Sequence, residues 1–219
     1  MEKFKIIFLS IILFLSCNKN CDFPGSYTFE IPVSLSPAKD TFNIGDTITV
    51  ISNFTDMVYE RKTNEFYKLE NIQFYPGTGI VKIDTLNQVS RINDHFDIFF
   101  DTVYQYELQQ FSEGQQYLFG QYNYKDNAYS LKFRFVPKSK GLFYLQQGVD
   151  PTINPNQTFE GKCSNNKTGL DGVVKLNNGA DNNIHMLSSS PDPHYNTWTL
   201  NNPQDRFHKF GGYCFYVKD

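Results

Sequence analysis

YTFEIPVSLSP, residues 27–37, decides the fold. Tyr27, Phe29, Ile31, Val33 and Leu35 alternate with Thr28, Glu30, Pro32 and Ser34. Side chains two apart on an extended chain share a face, so the stretch reads as a half-buried strand. Pro32 has no N–H to donate to a ladder, which predicts an edge strand or one that shifts between sheets. The run DTFNIGDTITVISNF (residues 40–54) follows, with a turn at Gly45-Asp46 and a β-branched strand over 47–53. Further on, AYSLKFRFV (128–136) sets Leu131, Phe133 and Phe135 against Lys132 and Arg134. That is again one apolar and one polar face.

The runs between these anchors have the same character. FYKLENIQFY (66–75) and GIVKIDTL (79–86) flank Pro76-Gly77, which reads as a turn. HFDIFFDTVYQYEL (95–108) alternates in part. QQYLFGQYNY (115–124) precedes Lys125-Asp126-Asn127, a turn composition. With 21 Phe and 14 Tyr in 219 residues, the composition favours strands over helices. The opening order of strand, Ser-Pro, short strand, Ile-Gly-Asp and strand resembles immunoglobulin-like domains. So does PKSKGLFYLQQ (137–147), which is similar to the E–F corner and strand F, with Tyr144 as the corner tyrosine. The resemblance covers about residues 26–147 and implies an all-β, Ig-like antiparallel β-sandwich.

Residues 148–211 change texture. NPNQ, NNKTG, NNGADNN and SSSPDP are loop material, with short helices expected over 182–188 and 203–210. Tyr213, Phe215 and Val217 alternate in the closing GGYCFYVKD, which predicts a last strand reached after a long, loop-rich excursion.

The chain begins MEKFKIIFLSIILFLSC. Lys3 and Lys5 precede an apolar run over 6–15, too short for the ~20 residues of a spanning helix. Phe14-Leu15-Ser16-Cys17 resembles the lipobox of bacterial lipoproteins. That implies cleavage before Cys17, a lipid on its sulfur and anchoring in the outer membrane, on either face. The layout, with its GGYCF-like last strand, resembles lipoproteins of the Bacteroidetes type. The expected organisation is a signal peptide (1–16), a tether (17–25) and one domain (26–219). Of the other cysteines, Cys21 falls in the tether. An exported compartment permits disulfides, and Cys163–Cys214 is the favoured pair among three.

Net charge is −3, and about −4 without Glu2, Lys3 and Lys5. No basic cluster is present, so nucleic acid is not an expected partner. No metalloprotease, nucleophile-elbow or phosphate-loop motif occurs. No cofactor or metal is expected. Asp181-Asn182-Asn183 begins like a calcium loop without its glycine and closing glutamate. His185, His194 and His208, with Asp192 and Asp205 near by, match no zinc spacing and read as separate polar residues. A hydrolase built on them ranks last among the functions considered. Tyr117, Tyr122, Tyr124 and Tyr129 fit strand packing. His194, Tyr195 and Trp198 fall in a segment without periodicity and are the candidate binding residues. Thr47, Thr85 and Thr102 each sit in Asp-Thr-aliphatic triplets that resemble Bacteroidetes-type O-glycosylation sites. The expected function is a non-catalytic module that binds an envelope protein or glycan, with a structural component of an envelope complex as the alternative.

Overall fold

The computed structural model describes residues 27–70, 72–86, 91–111, 114–152 and 169–219. The lipobox-like segment, Cys17, Cys21 and Cys163 lie outside the described residues. Within them the chain forms β1 (Tyr27–Ser36), β2 (Thr41–Asn43), β3 (Ile48–Thr55), β4 (Met57–Glu60), β5 (Glu65–Lys68), β6 (Phe74–Lys82) and β7 (Phe96–Phe100). Then come β8 (Glu107–Gln110), β9 (Gln116–Phe119), β10 (Asn123–Lys125), β11 (Ala128–Pro137), β12 (Gly141–Pro151), β13 (Leu170–Leu176) and β14 (Tyr213–Lys218). A first sheet runs β10-β11-β3-β1-β4-β5, with β13 on β1 and β7 on β11. A second runs β2-β14-β12-β6-β9-β8. Most pairings are antiparallel, while β1–β13 and β14–β2 are parallel.

The two sheets face each other across an aromatic core. Alternate residues of β1, Tyr27 to Leu35, all point into it, as the period-two pattern requires. From β11 come Tyr129, Leu131, Phe133 and Phe135, and from the second sheet Phe74, Phe143, Leu145 and Phe215. Rings meet edge to face: Phe96 and Phe143 lie 4.8 Å apart, and Phe74 and Tyr129 lie 4.9 Å apart. Such pairs add ~0.5–1.5 kcal/mol each beyond burial. Tyr129 is buried with its hydroxyl satisfied, donating to the Leu69 carbonyl at 2.6 Å and accepting from the Ile72 N–H at 3.1 Å. Pro32 marks a change of partner rather than an edge. β1 pairs β13 along Tyr27–Val33, meets β4 at Phe29 and takes up β3 at Ser34. Between those last two contacts the Ser52 hydroxyl donates to the Pro32 carbonyl.

Several expectations are corrected. Pro76-Gly77 is not a turn: β6 runs straight through it, pairing Pro76 with Val149 and Gly77 with Gly148. The glycines serve packing. A Cβ on Gly77 would stand 3.2 Å from the Phe119 ring, and one on Gly79 only 2.8 Å from Tyr117. The 95–108 run divides between sheets, β7 joining the first and β8 the second. Tyr144 is no corner tyrosine, because its hydroxyl donates to the Arg206 carbonyl, 62 residues on.

The described part of the excursion, 148–152 and 169–211, holds more regular structure than its composition suggests. β12 extends to Pro151, and β13 adds a strand to the first sheet. The asparagine-rich NNGADNN segment forms a clasp. Asn177, Asn178, Asn182 and Asn183 all adopt positive φ, which asparagine tolerates better than most residues. The Asn177 amide donates to Asn182, and the Asn183 amide donates to the Cys214 carbonyl at 2.9 Å. Helical turns at Ile184–Ser189, His194–Thr199 and Gln204–His208 follow. Asn202 does not cap the last of these; its amide donates to the Asp205 carboxylate. Met186, Leu187 and Phe207 pack with Ile83, Leu142, Tyr144 and Cys214 in a second core on the outer face of the second sheet. The molecule is thus a sandwich with a third, helical layer.

Candidate functional site

The third layer covers β14, part of β12 and the end of β6 at Val81. What remains is a cleft of 340 Å³ on the outer face of the second sheet. Register fixes its floor. Tyr144 pairs with Val81 and Gln146 with Gly79, and side chains of alternate residues rise from the same face. Tyr117 of β9 forms one wall, its ring lying over Gly79. Tyr195 and His194 of the helical layer form the other.

The walls are braced. Tyr195 packs edge-on against Tyr144 at 5.8 Å, and Tyr144 stacks on Phe207 at 5.5 Å. His194 meets Tyr195 at 4.9 Å and stacks on Trp198 at 4.8 Å. The Arg206 guanidinium lies 4.0 Å over the Trp198 ring and donates to the Trp198 carbonyl. Opposite, Phe111 contacts Tyr117 at 5.7 Å and Phe119 at 6.0 Å. Rings held from several sides form a pre-organised surface.

The polar groups are mainly amides and phenols. Gln146 donates to the Tyr144 hydroxyl at 3.1 Å, and Gln115 and Gln116 sit at the rim. Burial pushes the Tyr195 phenol up to about 12, with the Asp192 carboxylate adding to the shift. Burial raises Tyr144 too, against the opposing bond from Gln146. Both hydroxyls therefore stay protonated at neutral pH. Lys82 faces Asp84 at 3.8 Å, and the Asp192 carboxylate accepts the His194 N–H at 2.9 Å. The ionic groups at the cleft already have partners.

Of the expected binding residues, His194 and Tyr195 line the cleft, and Trp198, 48% exposed, stands behind His194 as its stacking partner. The hairpin tyrosines separate: Tyr122, Tyr124 and Tyr129 belong to or pack against the core, while Tyr117 faces the cleft. Gln146, Tyr144 and Tyr117 were not among the expected site residues. For Tyr117 the sequence holds two separate triplets, Gly-x-Gly at 77–79 and Tyr-x-Phe at 117–119, which only strand register brings together as a glycine notch under an aromatic pair. His185 faces Asp181 at 3.7 Å, and His208 lies in a separate groove beside β13. Among the described residues no three His, Cys, Asp or Glu side chains gather as a metal site. Cys214 carries a free, fully buried thiol whose pKa burial raises. Cys163, its expected partner, lies outside the described residues. Thr47, Thr85 and Thr102 are all exposed.

No protein-family model matches the chain, and no curated protein is detectably similar to it. Solved structures give distant likenesses. A cohesin module from a Clostridium perfringens family 33 glycoside hydrolase is 11% identical, with a TM-score of 0.27, covering 68% of this chain and 97% of that one. A non-cellulosomal cohesin from Archaeoglobus fulgidus is 10% identical, with a TM-score of 0.29, covering 69% and 91%. A type II cohesin domain from the Acetivibrio cellulolyticus cellulosome is 13% identical, with a TM-score of 0.26, covering 60% and 80%. Likeness this slight carries no functional assignment.

Proposed function

We propose that this chain is a non-catalytic binding module, anchored in the outer membrane by a lipid on Cys17, and that its protein or glycan ligand occupies the Tyr117–Tyr195 cleft. One observation carries the reading: an open, braced aromatic cleft whose polar lining is mainly amides and phenols. Amides do not titrate, and phenols with raised pKa stay protonated and are poor acids near neutrality, so these groups suit holding a ligand rather than transferring protons to it. The Cys17 anchor is supported by the lipobox-like segment.

The test uses the full chain in detergent. Immobilised wild type and Tyr195→Ala are each exposed to two fractions of a bacterial envelope, deproteinised glycan and deglycosylated protein. Retention from either fraction that depends on Tyr195 is expected. Equal retention by both forms from both fractions would overturn the binding site. The anchor is tested separately: metabolic labelling with a fatty acid should mark the wild type and not Cys17→Ser.

A further inference from the structure

The chemistry of the cleft narrows its ligand. Three glutamines contribute, Gln115 and Gln116 at the rim and Gln146 on the floor. Each side-chain amide both donates and accepts, as each phenol does. A hydroxyl group also does both, so a surface of amides and phenols matches a ligand dense in hydroxyls. A carboxylate or phosphate would want free cations instead. Here Lys82 already faces Asp84, and Asp192 contributes negative charge to the same lining. Apart from Val81 on the floor, the apolar part of the site is aromatic, with Tyr117 on the β9 side and Tyr195 on the side of the helical layer. Flat ring faces suit the C–H faces of a pyranose, which an aliphatic wall would match less well. The volume of 340 Å³ is near the lower end of the ~300–1,000 Å³ range for small-ligand sites, enough for one or two sugar units. A folded protein epitope would not enter it, and an extended peptide would bring backbone amides but few hydroxyls.

We infer that the cleft is a subsite for an uncharged saccharide, gripped between Tyr117 and Tyr195 and hydrogen-bonded through Gln146 and the rim glutamines. This rests on the binding-module reading and adds a ligand class to it. Trp198 supplies a built-in reporter. It is the only tryptophan in the chain, and it stacks on His194, which lines the cleft.

The experiment is a tryptophan-fluorescence titration of the full chain in detergent, backed by calorimetry. The probes are neutral oligosaccharides (gluco-, manno- and galacto-configured) and the acidic polygalacturonate and sialyl oligosaccharides. A saturable change with at least one neutral series is expected, with affinity changing less than twofold between low and high salt. Tyr195→Ala and Gln146→Ala should each weaken it tenfold or more, and Tyr195→Phe, which keeps the ring, by much less. Circular dichroism of each variant guards against misfolding. Gln146→Glu is a second probe, expected to abolish binding without removing bulk. Binding of acidic sugars only, or a steep loss with salt, would overturn the inference. So would saccharide binding indifferent to all the cleft variants. If no saccharide binds while protein is retained in a Tyr195-dependent manner, the saccharide assignment fails and the binding-module reading stands. If neither occurs, both fail.

Discussion

Glu60 shows how much depends on one buried carboxylate. It has no exposed surface. Its oxygens accept the N–H groups of Thr28 at 2.7 Å, Lys62 at 3.1 Å and Thr63 at 2.7 Å, and the Thr63 hydroxyl at 2.8 Å. Burial alone would raise its pKa, but these bonds outweigh burial and hold it below the ordinary glutamate value. A folded-state pKa below the unfolded one adds stability above the unfolded value of ~4.3, and that stability is lost as pH falls through the folded value. Glu60→Gln should therefore cost about 2 kcal/mol near neutrality, with the gap to wild type shrinking below about pH 4. Urea titrations at pH 7 and pH 3 check this, and an equal gap at both would sink it. Tyr106 is the opposite case. Its ring packs on Phe100 and Phe133, yet its buried hydroxyl has no partner among the described residues. Tyr106→Phe should keep the ring contacts and stabilise by about 1 kcal/mol, seen as a raised Tm; a lowered Tm would mean that the hydroxyl is satisfied.

At the scale of elements, alternation made the sandwich legible. β1, β3, β11 and β14 all have one face in the core, as YTFEIPVSLSP, TITVISN, AYSLKFRFV and YCFYV imply. Pro76-Gly77 misled because its composition is that of a turn, whereas here glycine answers the approach of aromatic rings from β9. Such contacts join residues some forty positions apart and leave no local trace. For the same reason the cleft was half visible: Tyr195 and His194 stood out, but Tyr117 and Gln146 reach it only through strand register. The return from the last helical turn into β14 is equally exacting. Gly211 has φ +55°, and a Cβ there would stand 2.6 Å from the Gln147 carbonyl oxygen. Gly45 has φ +88° with nothing near its would-be Cβ. Gly45→Ala should cost only the dihedral penalty of about 1 kcal/mol, and Gly211→Ala about 3 kcal/mol or more. Denaturant midpoints of the two variants separate strain from steric clash, and equal losses would show that the junction relaxes.

At the scale of the whole molecule, the sandwich carries a helical layer that both covers β14 and supplies one wall of the cleft. Phe207 joins the two roles, since it is fully buried, stacks on Tyr144 and shares the second core with Cys214. Phe207→Ala would remove about 3–5 kcal/mol from that layer. The sandwich core between the sheets contains none of the residues of the second core. The expected result is local release: strand circular dichroism persists while the layer loosens. Cys214 reports it, because a thiol buried with a raised pKa resists alkylation. In wild type the peptide holding Cys214 should be alkylated only after denaturation. In Phe207→Ala it should be labelled at least tenfold faster under native conditions, and Tyr195-dependent ligand retention should fall with it. Peptide mapping without reductant also tests the Cys163–Cys214 bridge, which would appear as a linked pair and block labelling in both proteins. Loss of all strand signal in Phe207→Ala would show that the layer and the sandwich unfold as one unit. Rapid native labelling in wild type would show that the layer does not protect β14.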